Sequence, residues 1–300
     1  MKYKYYLLLI LIVLVWGFAW SINKMGLQFV SPIWFSALRL IVGFFCISLI
    51  VIFLRKFKLP HPRDFRIILM MGLIQIGLFM TLINLGLLHV AAGRSAVLVY
   101  TTPLWVMPLA VLFFNEKLNY LKGIGFCLGM MGVVILFNPY TFVWSDHTAL
   151  LGNGILLLAS LCWAVSILCA RNMKWHRTPL ELLPWQLLVG TIPVLLIALF
   201  EQPHPHIQWN VSFVMMLAYM GIFATAFTYW GTIVLSKELP SITVSLSFLG
   251  VPVVGLIFAA LLLHEKISFS MVIAMISIIG GLICVAWGGK KKPDIINNMD

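Results

Sequence analysis

The chain has 300 residues, 62% of them hydrophobic and only 10% charged, with a mean hydropathy of +1.05. A soluble domain of this size carries about 25% charged residues, so a soluble fold is excluded. The net charge of +11 calls for no nucleic-acid partner, because the cations follow a membrane pattern rather than one aromatic-rich face.

Ten apolar segments are predicted, each close to the ~20 residues that cross a hydrocarbon core as a helix. The first, Tyr5–Ser21, follows Lys2 and Lys4 and has the outline of a secretory signal, yet it continues through Trp16, Phe18 and Trp20 with no small-residue cleavage site. It is expected to stay in the fold, with Asn23 just beyond it. The second, Ile33–Leu54, holds Arg39 inside a span, about two turns from its outer end. That cation either snorkels to the interface or serves as an anion contact for a substrate carboxylate. The third, Ile67–Leu88, offers Gln75, Thr81 and Asn84; the fourth, Ser95–Phe114, has Tyr100, Thr101 and Thr102 just before Pro103.

The fifth, Asn119–Phe137, is glycine-rich, and Gly125, Gly129 and Gly132 suit close helix packing. The sixth, Leu151–Ala170, carries Ser160, Trp163 and Ser166, and the seventh is Leu182–Phe200. The eighth, Val211–Leu235, carries Thr225, Thr228, Tyr229 and Trp230; the ninth, Ile242–Leu263, has Ser245, Ser247 and Phe248 ahead of Pro252; the tenth is Ile267–Trp287. Polar groups at membrane depth are costly unless they face a cavity or a partner helix. The substrate-binding candidates are therefore Trp16, Trp20, Asn23, Gln75, Thr81, Asn84, Tyr100, Thr101, Trp163, Ser166, Tyr229, Trp230 and Phe248. Each has an ordinary alternative: Ser and Thr bond back to their own helix, and Trp and Tyr anchor at interfaces. Pro103 and Pro252 are expected as mid-helix kinks with a gating role. All five cysteines fall inside spans, where thiols act as small apolar groups; none has a metal spacing, and no cofactor is expected.

With the N-terminus inside, sixteen of the 20 lysines and arginines fall on the inner side and three (Lys24, Arg94, Lys266) on the outer. The positive-inside rule then puts both termini in the cytoplasm. The sequence is also written twice. Pro103 and Glu116 stand 13 apart, as do Pro252 and Glu265, and a shift of 149 carries the first pair onto the second and Gly72 onto Gly221. A shift of 147 carries Ser31-Pro32 onto Thr178-Pro179, Arg39 onto Gln186, Gly43 onto Gly190 and Trp16 onto Trp163. Five spans per copy is an odd number, so the copies insert upside down relative to each other, the arrangement behind alternating access. The expectation is an all-α integral membrane protein of ten transmembrane helices in two inverted five-helix repeats. These are residues 1–140 and residues 141–300, the second ending in a short basic tail.

The run Trp16-Gly17-Phe18-Ala19…Ser31-Pro32…Arg39 resembles the opening of an EamA-type domain of the drug/metabolite transporter superfamily. The run Ala91-Ala92-Gly93-Arg94-Ser95-Ala96…Tyr100-Thr101-Thr102-Pro103…Asn115-Glu116-Lys117 is similar to its end, and Pro252…His264-Glu265-Lys266 is the second copy. Asn115 and His264 stand where the family usually has Gly, and Lys117 and Lys266 where it usually has Arg. The resemblance covers nearly the whole chain. It implies a central cavity lined by helices 1, 3, 4, 6, 8 and 9, and transport of small metabolites, often by export of amino acids or their derivatives.

All nine carboxylates lie in loops, tails or span ends, Glu181 being nearest to membrane depth. A carboxylate-based proton cycle usually needs an intramembrane acid, so facilitated diffusion or exchange is favoured, with His89 the alternative proton carrier. There is no His-Glu-x-x-His, no Gly-x-Ser-x-Gly and no phosphate loop, so an enzyme is not expected. The reading is a secondary transporter in a bacterial inner membrane, an exporter of amino-acid-like metabolites, whose partners are a small solute and the bilayer, with room for a homodimer. A non-transporting scaffold or receptor and a proton-coupled importer stay open.

Overall fold

A computed structural model of the chain describes residues 3–87, 89, 95, 98–116, 118–137, 147–263 and 269–288. Among these, every regular element is helical. Helices α1 (Tyr3–Gly26) and α2 (Pro32–Phe53) come first. Pro32 opens α2 after an extended Ser31, a position where the missing amide would have had no partner. Helix α3 (65–87) runs as Phe65–Leu69, then a π-helical stretch Met70–Leu78, then Phe79–Leu87. Next come α4 (Thr102–Phe114), α5 (Tyr120–Phe137), α6 (His147–Asn172) and α7 (Pro179–Glu201). Helix α8 (Val211–Glu238) contains a second π stretch, Ile222–Phe227. The chain then forms α9 (Ser241–Ser247), α10 (Gly250–Leu263) and α11 (Phe269–Gly288).

Among the described residues, seven helical segments are long and apolar enough to cross a membrane, with shorter apolar helices at Thr102–Phe114, Tyr120–Ile135 and Val272–Val285. Leu49, Phe53, Leu112, Phe113, Leu196, Phe200, Met215 and Ile276 are exposed around the outside. Such a surface suits lipid, where helices satisfy their backbone internally, and the chain is a multi-pass membrane protein.

Two expectations are corrected here. Pro103 and Pro252 are not mid-helix kinks: each lies in the first turn of a helix, α4 and α10, after a break at Tyr100–Thr101 and at Phe248–Leu249. Proline lacks an N–H, and a first turn needs none from it. The prolines inside helices are instead Pro108, Pro184 and Pro193. The third and eighth spans are not plain α-helices either. Their π stretches share the register of the 149-residue shift, which carries residues 73–78 onto 222–227.

Glycines set the helix crossings. A Cβ on Gly125 would sit 2.7 Å from the Gly281 carbonyl, and one on Gly132 2.7 Å from that of Ala274, so α5 and α11 pack backbone to backbone. Gly17 lets α1 meet α10, since a Cβ there would lie 2.3 Å from Val254. A Cβ on Gly43 of α2 would sit 3.1 Å from the Gly221 carbonyl of α8, and one on Gly190 of α7 2.6 Å from the Gly72 carbonyl of α3. The two sequence shifts convert one of these last crossings into the other.

Candidate functional site

Between the helices lies a cavity of about 1030 Å³, counting the part open to solvent. Its walls come from α1, α2, α3, the turn before α4, α6, α8 and α9. The lining runs from mid-span residues such as Trp163 to Asn23, Leu27 and Pro32 at the α1–α2 end.

The deep wall is aromatic. Trp16 packs edge-on against Trp163 and Phe248, with ring centroids 5.4 and 5.2 Å apart, and Phe79 and Tyr229 lie 4.7 and 6.0 Å from Trp163. Edge-to-face pairs of this kind hold their geometry by quadrupole attraction as well as by burial. Higher up, the Trp20 indole N–H donates to the Tyr100 hydroxyl at 3.0 Å. Tyr100 reaches that point because the helix breaks beside it.

Arg39 is the cation of the site. Its Nε donates to Thr225 Oγ1 at 3.1 Å and its Nη2 to the Ala224 carbonyl at 3.2 Å. The Ala224 carbonyl also accepts from Trp16 Nε1 at 3.3 Å. Ala224 lies in the π stretch of α8, where the wider turn presents a carbonyl to side-chain donors. Both acceptors are neutral. The described carboxylates are Asp64, Glu116, Glu181, Glu201 and Glu238, and none lines the cavity. The buried Tyr229 hydroxyl, also on the lining, has no hydrogen-bond partner.

The opposite end of the bundle is closed by polar contacts. Glu116 accepts from the Ser241 and Ile242 amides at the start of α9, at 2.9 and 3.4 Å, and pairs with Arg171 Nε at 3.2 Å. Arg171 also donates to the Leu239 carbonyl. A carboxylate on a helix N-terminus answers both its free amides and its dipole. Nearby, Asp64 accepts from the His176 amide at 2.9 Å, and Asn119 Nδ2 donates to the Gly288 carbonyl at 2.6 Å.

Of the residues singled out in the sequence, Trp16, Trp20, Asn23, Arg39, Tyr100, Trp163, Tyr229 and Phe248 share the one cavity. Thr102 and Ser245 line it as well, whereas Gln75, Thr81, Thr101, Ser166 and Trp230 do not. Thr81 donates to the Gly77 carbonyl at 2.8 Å, Ser166 to that of Cys162 at 2.8 Å, and Thr101 to that of Leu98 at 2.6 Å, each turned back onto its own backbone. Gln75 is buried away from the cavity, and Trp230 packs on Phe227. Glu181 is engaged in a capping box with Thr178 at the start of α7. The Asn84 side chain and residues Arg94, Lys117, His264, Glu265 and Lys266 lie outside the described residues.

Helix α2, absent from the set of lining helices the resemblance implied, contributes Pro32, Ser36 and Arg39. Their spacing of four and three residues marks one helix face, a signal present in the sequence. Phe79, Met80 and Thr102 also join the lining.

The EamA-like transporter family matches residues 3–138 and again 150–287, and the chain belongs to that family. It is 27% identical to an uncharacterized transporter of Bacillus subtilis, YoaV, over 91% of this chain and 94% of the relative. A probable amino-acid metabolite efflux pump of Escherichia coli is 26% identical over 94% of both chains, and one of Salmonella typhimurium is 28% identical over 95% of both. A solved crystal structure superposes with a TM-score of 0.80 at 16% identity, covering 94% of this chain and 98% of the other. That likeness speaks to the fold. The relatives are named as transporters, so the family is one of transporters rather than enzymes.

Proposed function

We propose that this EamA-family chain is a secondary carrier that exports amino acids or related small organic metabolites across the bacterial inner membrane by alternating access. The observation that carries the reading is the cavity: aromatic at mid-depth, lined from α1 to α9, open at one end and tied shut at the other by Glu116 and Arg171. A scaffold has no need of such a space. The efflux pumps of Escherichia coli and Salmonella typhimurium favour amino-acid-like solutes and outward flux.

In this reading the seven long apolar segments and the three shorter ones are ten spans in two inverted repeats, residues 1–140 and 141–300. Support comes from the doubled family match, the paired π stretches and the paired glycine crossings. Both termini face the cytoplasm under the positive-inside rule, so the cavity opens outward and the Glu116 end is cytoplasmic. Trp16, Trp20, Asn23, Tyr100, Trp163, Tyr229 and Phe248 contact the solute, and Arg39 supplies charge. The cavity lies within one chain, so a homodimer is not needed to complete it. Coupling by a carboxylate proton cycle is disfavoured because Glu181 is held in its capping box and no described acid lines the path.

Counterflow in proteoliposomes loaded with amino acids and their acid derivatives tests the function. Saturable, self-exchanging flux supports a carrier; non-saturating flux indicates a channel, and no flux for any solute indicates a scaffold. Reporter tags after Lys58 and after Trp209 should report opposite compartments, and a shared compartment would remove the inverted arrangement.

A further inference from the structure

We infer that the cavity selects solutes with a net negative charge, a carboxylate on an aromatic or aliphatic body whose amino group is absent or acylated, in preference to zwitterionic amino acids. The inference rests on the carrier reading and narrows its substrate class.

The starting point is a charge that no described carboxylate on the cavity lining offsets. A guanidinium keeps its proton where an ammonium would readily lose it, and an ion at membrane depth is stable only beside a partner of opposite sign or with water. None of the described aspartates or glutamates lines the cavity beside Arg39. Its contacts are a threonine hydroxyl and a main-chain carbonyl, which satisfy hydrogen-bonding geometry and leave the charge. It borders the cavity rather than lipid. Because Arg39 borders the cavity, a solute held there can bring a carboxylate to the guanidinium. Bidentate carboxylate recognition is what this side chain does best.

The remaining walls say what the other end of the solute carries. A free ammonium group would want a carboxylate, and none of the five described ones is on the lining. The surfaces on offer are the Trp16, Phe79, Trp163 and Phe248 rings, which accept apolar mass. The unpartnered Tyr229 hydroxyl can donate to an acyl or oxo oxygen, and Asn23 near the mouth can serve an amide. A zwitterion would bring its own cation into a site that already holds one, leaving the net charge of the filled cavity unchanged. An anion neutralises it. Charge balance therefore favours N-acylated amino acids, 2-oxo acids and aryl or alkyl carboxylates.

The test uses the full chain in detergent and in proteoliposomes, with four probes sharing one ring: N-acetyl-phenylalanine (anion), phenylalanine (zwitterion), N-acetyl-phenylalaninamide (neutral) and phenethylamine (cation). Tryptophan fluorescence reads binding, because Trp16, Trp20 and Trp163 line the cavity, and counterflow reads transport. The anion should bind about tenfold or more tightly than the other three, the scale of one charge-assisted contact. Arg39→Gln should erase the preference while Arg39→Lys keeps its order, with thermal unfolding checking that each variant is folded. Saturable transport in which phenylalanine equals or beats its N-acetyl form overturns the inference and leaves the carrier standing. A preference that survives in folded Arg39→Gln overturns Arg39 as its source. If no probe binds and no probe is carried, the carrier reading falls together with the inference.

Discussion

The same helix crossing occurs twice in this molecule, and the two copies hold different chemistry. At one, α2 meets α8 through Gly43 and Gly221, and Arg39 reaches the Ala224 carbonyl beside an open cavity. At the other, α7 meets α3 through Gly190 and Gly72, and the residues that the two shifts bring to the places of Arg39 and Ala224 are Gln186 and Gln75. Here the structure is sealed: Gln186 is 0% and Gln75 2% exposed. Both Gln186 amide atoms and Gln75 Oε1 have no hydrogen-bond partner. Leaving a buried polar group unsatisfied costs about 1–3 kcal/mol. The sealed crossing therefore holds groups that would gain by meeting water or solute, which under the proposed function suits a side about to open. The two crossings share their glycines and differ in their polar groups: a cation at one and neutral amides at the other.

Removing that asymmetry should have the largest effect. Arg39→Gln makes both crossings neutral, and transport of an anionic solute should fall about 10–100-fold, the range for losing one buried charge-assisted contact; initial counterflow rates measure it. Filling the sealed crossing comes next. A Cβ on Gly190 would lie 2.5 Å from Ile76 and 2.6 Å from the Gly72 carbonyl, whereas one on Gly43 would lie 2.9 Å from Thr225 and 3.1 Å from the Gly221 carbonyl. Gly190→Ala should therefore destabilise the protein by about 1–3 kcal/mol, the usual cost of overpacking, with Gly43→Ala closer to neutral. Thermal unfolding in detergent orders the two. If Gly43→Ala proves the worse, the crossings are not packed as described.

The contrast between these crossings also marks how far the sequence could be read. Apolar runs marked a multi-pass helical membrane protein, because a hydrocarbon core leaves a chain few other options, and seven long apolar helical segments stand among the described residues. Tryptophans and tyrosines at mid-span stood out against aliphatic neighbours, and Trp16, Trp163 and Tyr229 do come together around one space. The π stretches were invisible. Each holds a single polar side chain, Gln75 or Thr225, in an otherwise apolar stretch, too few to form a polar stripe that would show a change of helical period. The helix breaks beside Pro103 and Pro252 were hidden for the same reason, since the apolar run passes straight through them. Hydroxyl side chains were ambiguous in a different way. Thr81 and Ser166 bond to their own helix while Thr225 also accepts from Arg39, and that choice depends on rotamer and neighbour, which the residue type does not encode.

A substitution in the opposite sense probes the sealed side directly. Gln186→Leu replaces an unsatisfied amide with an apolar group of similar size, so it should stabilise the closed crossing by about 1–2 kcal/mol, part of the desolvation cost removed. The expected signature is a higher unfolding temperature together with slower counterflow, because the side now closed gains less by opening. A rise in both quantities would mean that Gln186 plays no part in opening.

The smallest effect is expected at Pro252. Its place in the first turn of α10 means that no helix amide is lost by its presence. Pro252→Ala should therefore act mainly by loosening the unfolded chain, at about 0.4–1 kcal/mol, and should leave the break at Phe248–Leu249 intact. That break is held by other means: Leu249 N–H donates to the Leu246 carbonyl at 3.1 Å, Val251 N–H to that of Phe248 at 3.0 Å, and the Phe248 ring is packed on Trp16. Transport by the alanine variant should stay within about twofold of the parent, since sub-kilocalorie changes are worth only a few-fold. A loss as large as that of Arg39→Gln would show that the proline itself drives the motion, and that the break in the ninth span is a hinge rather than a fixed corner beside the aromatic wall.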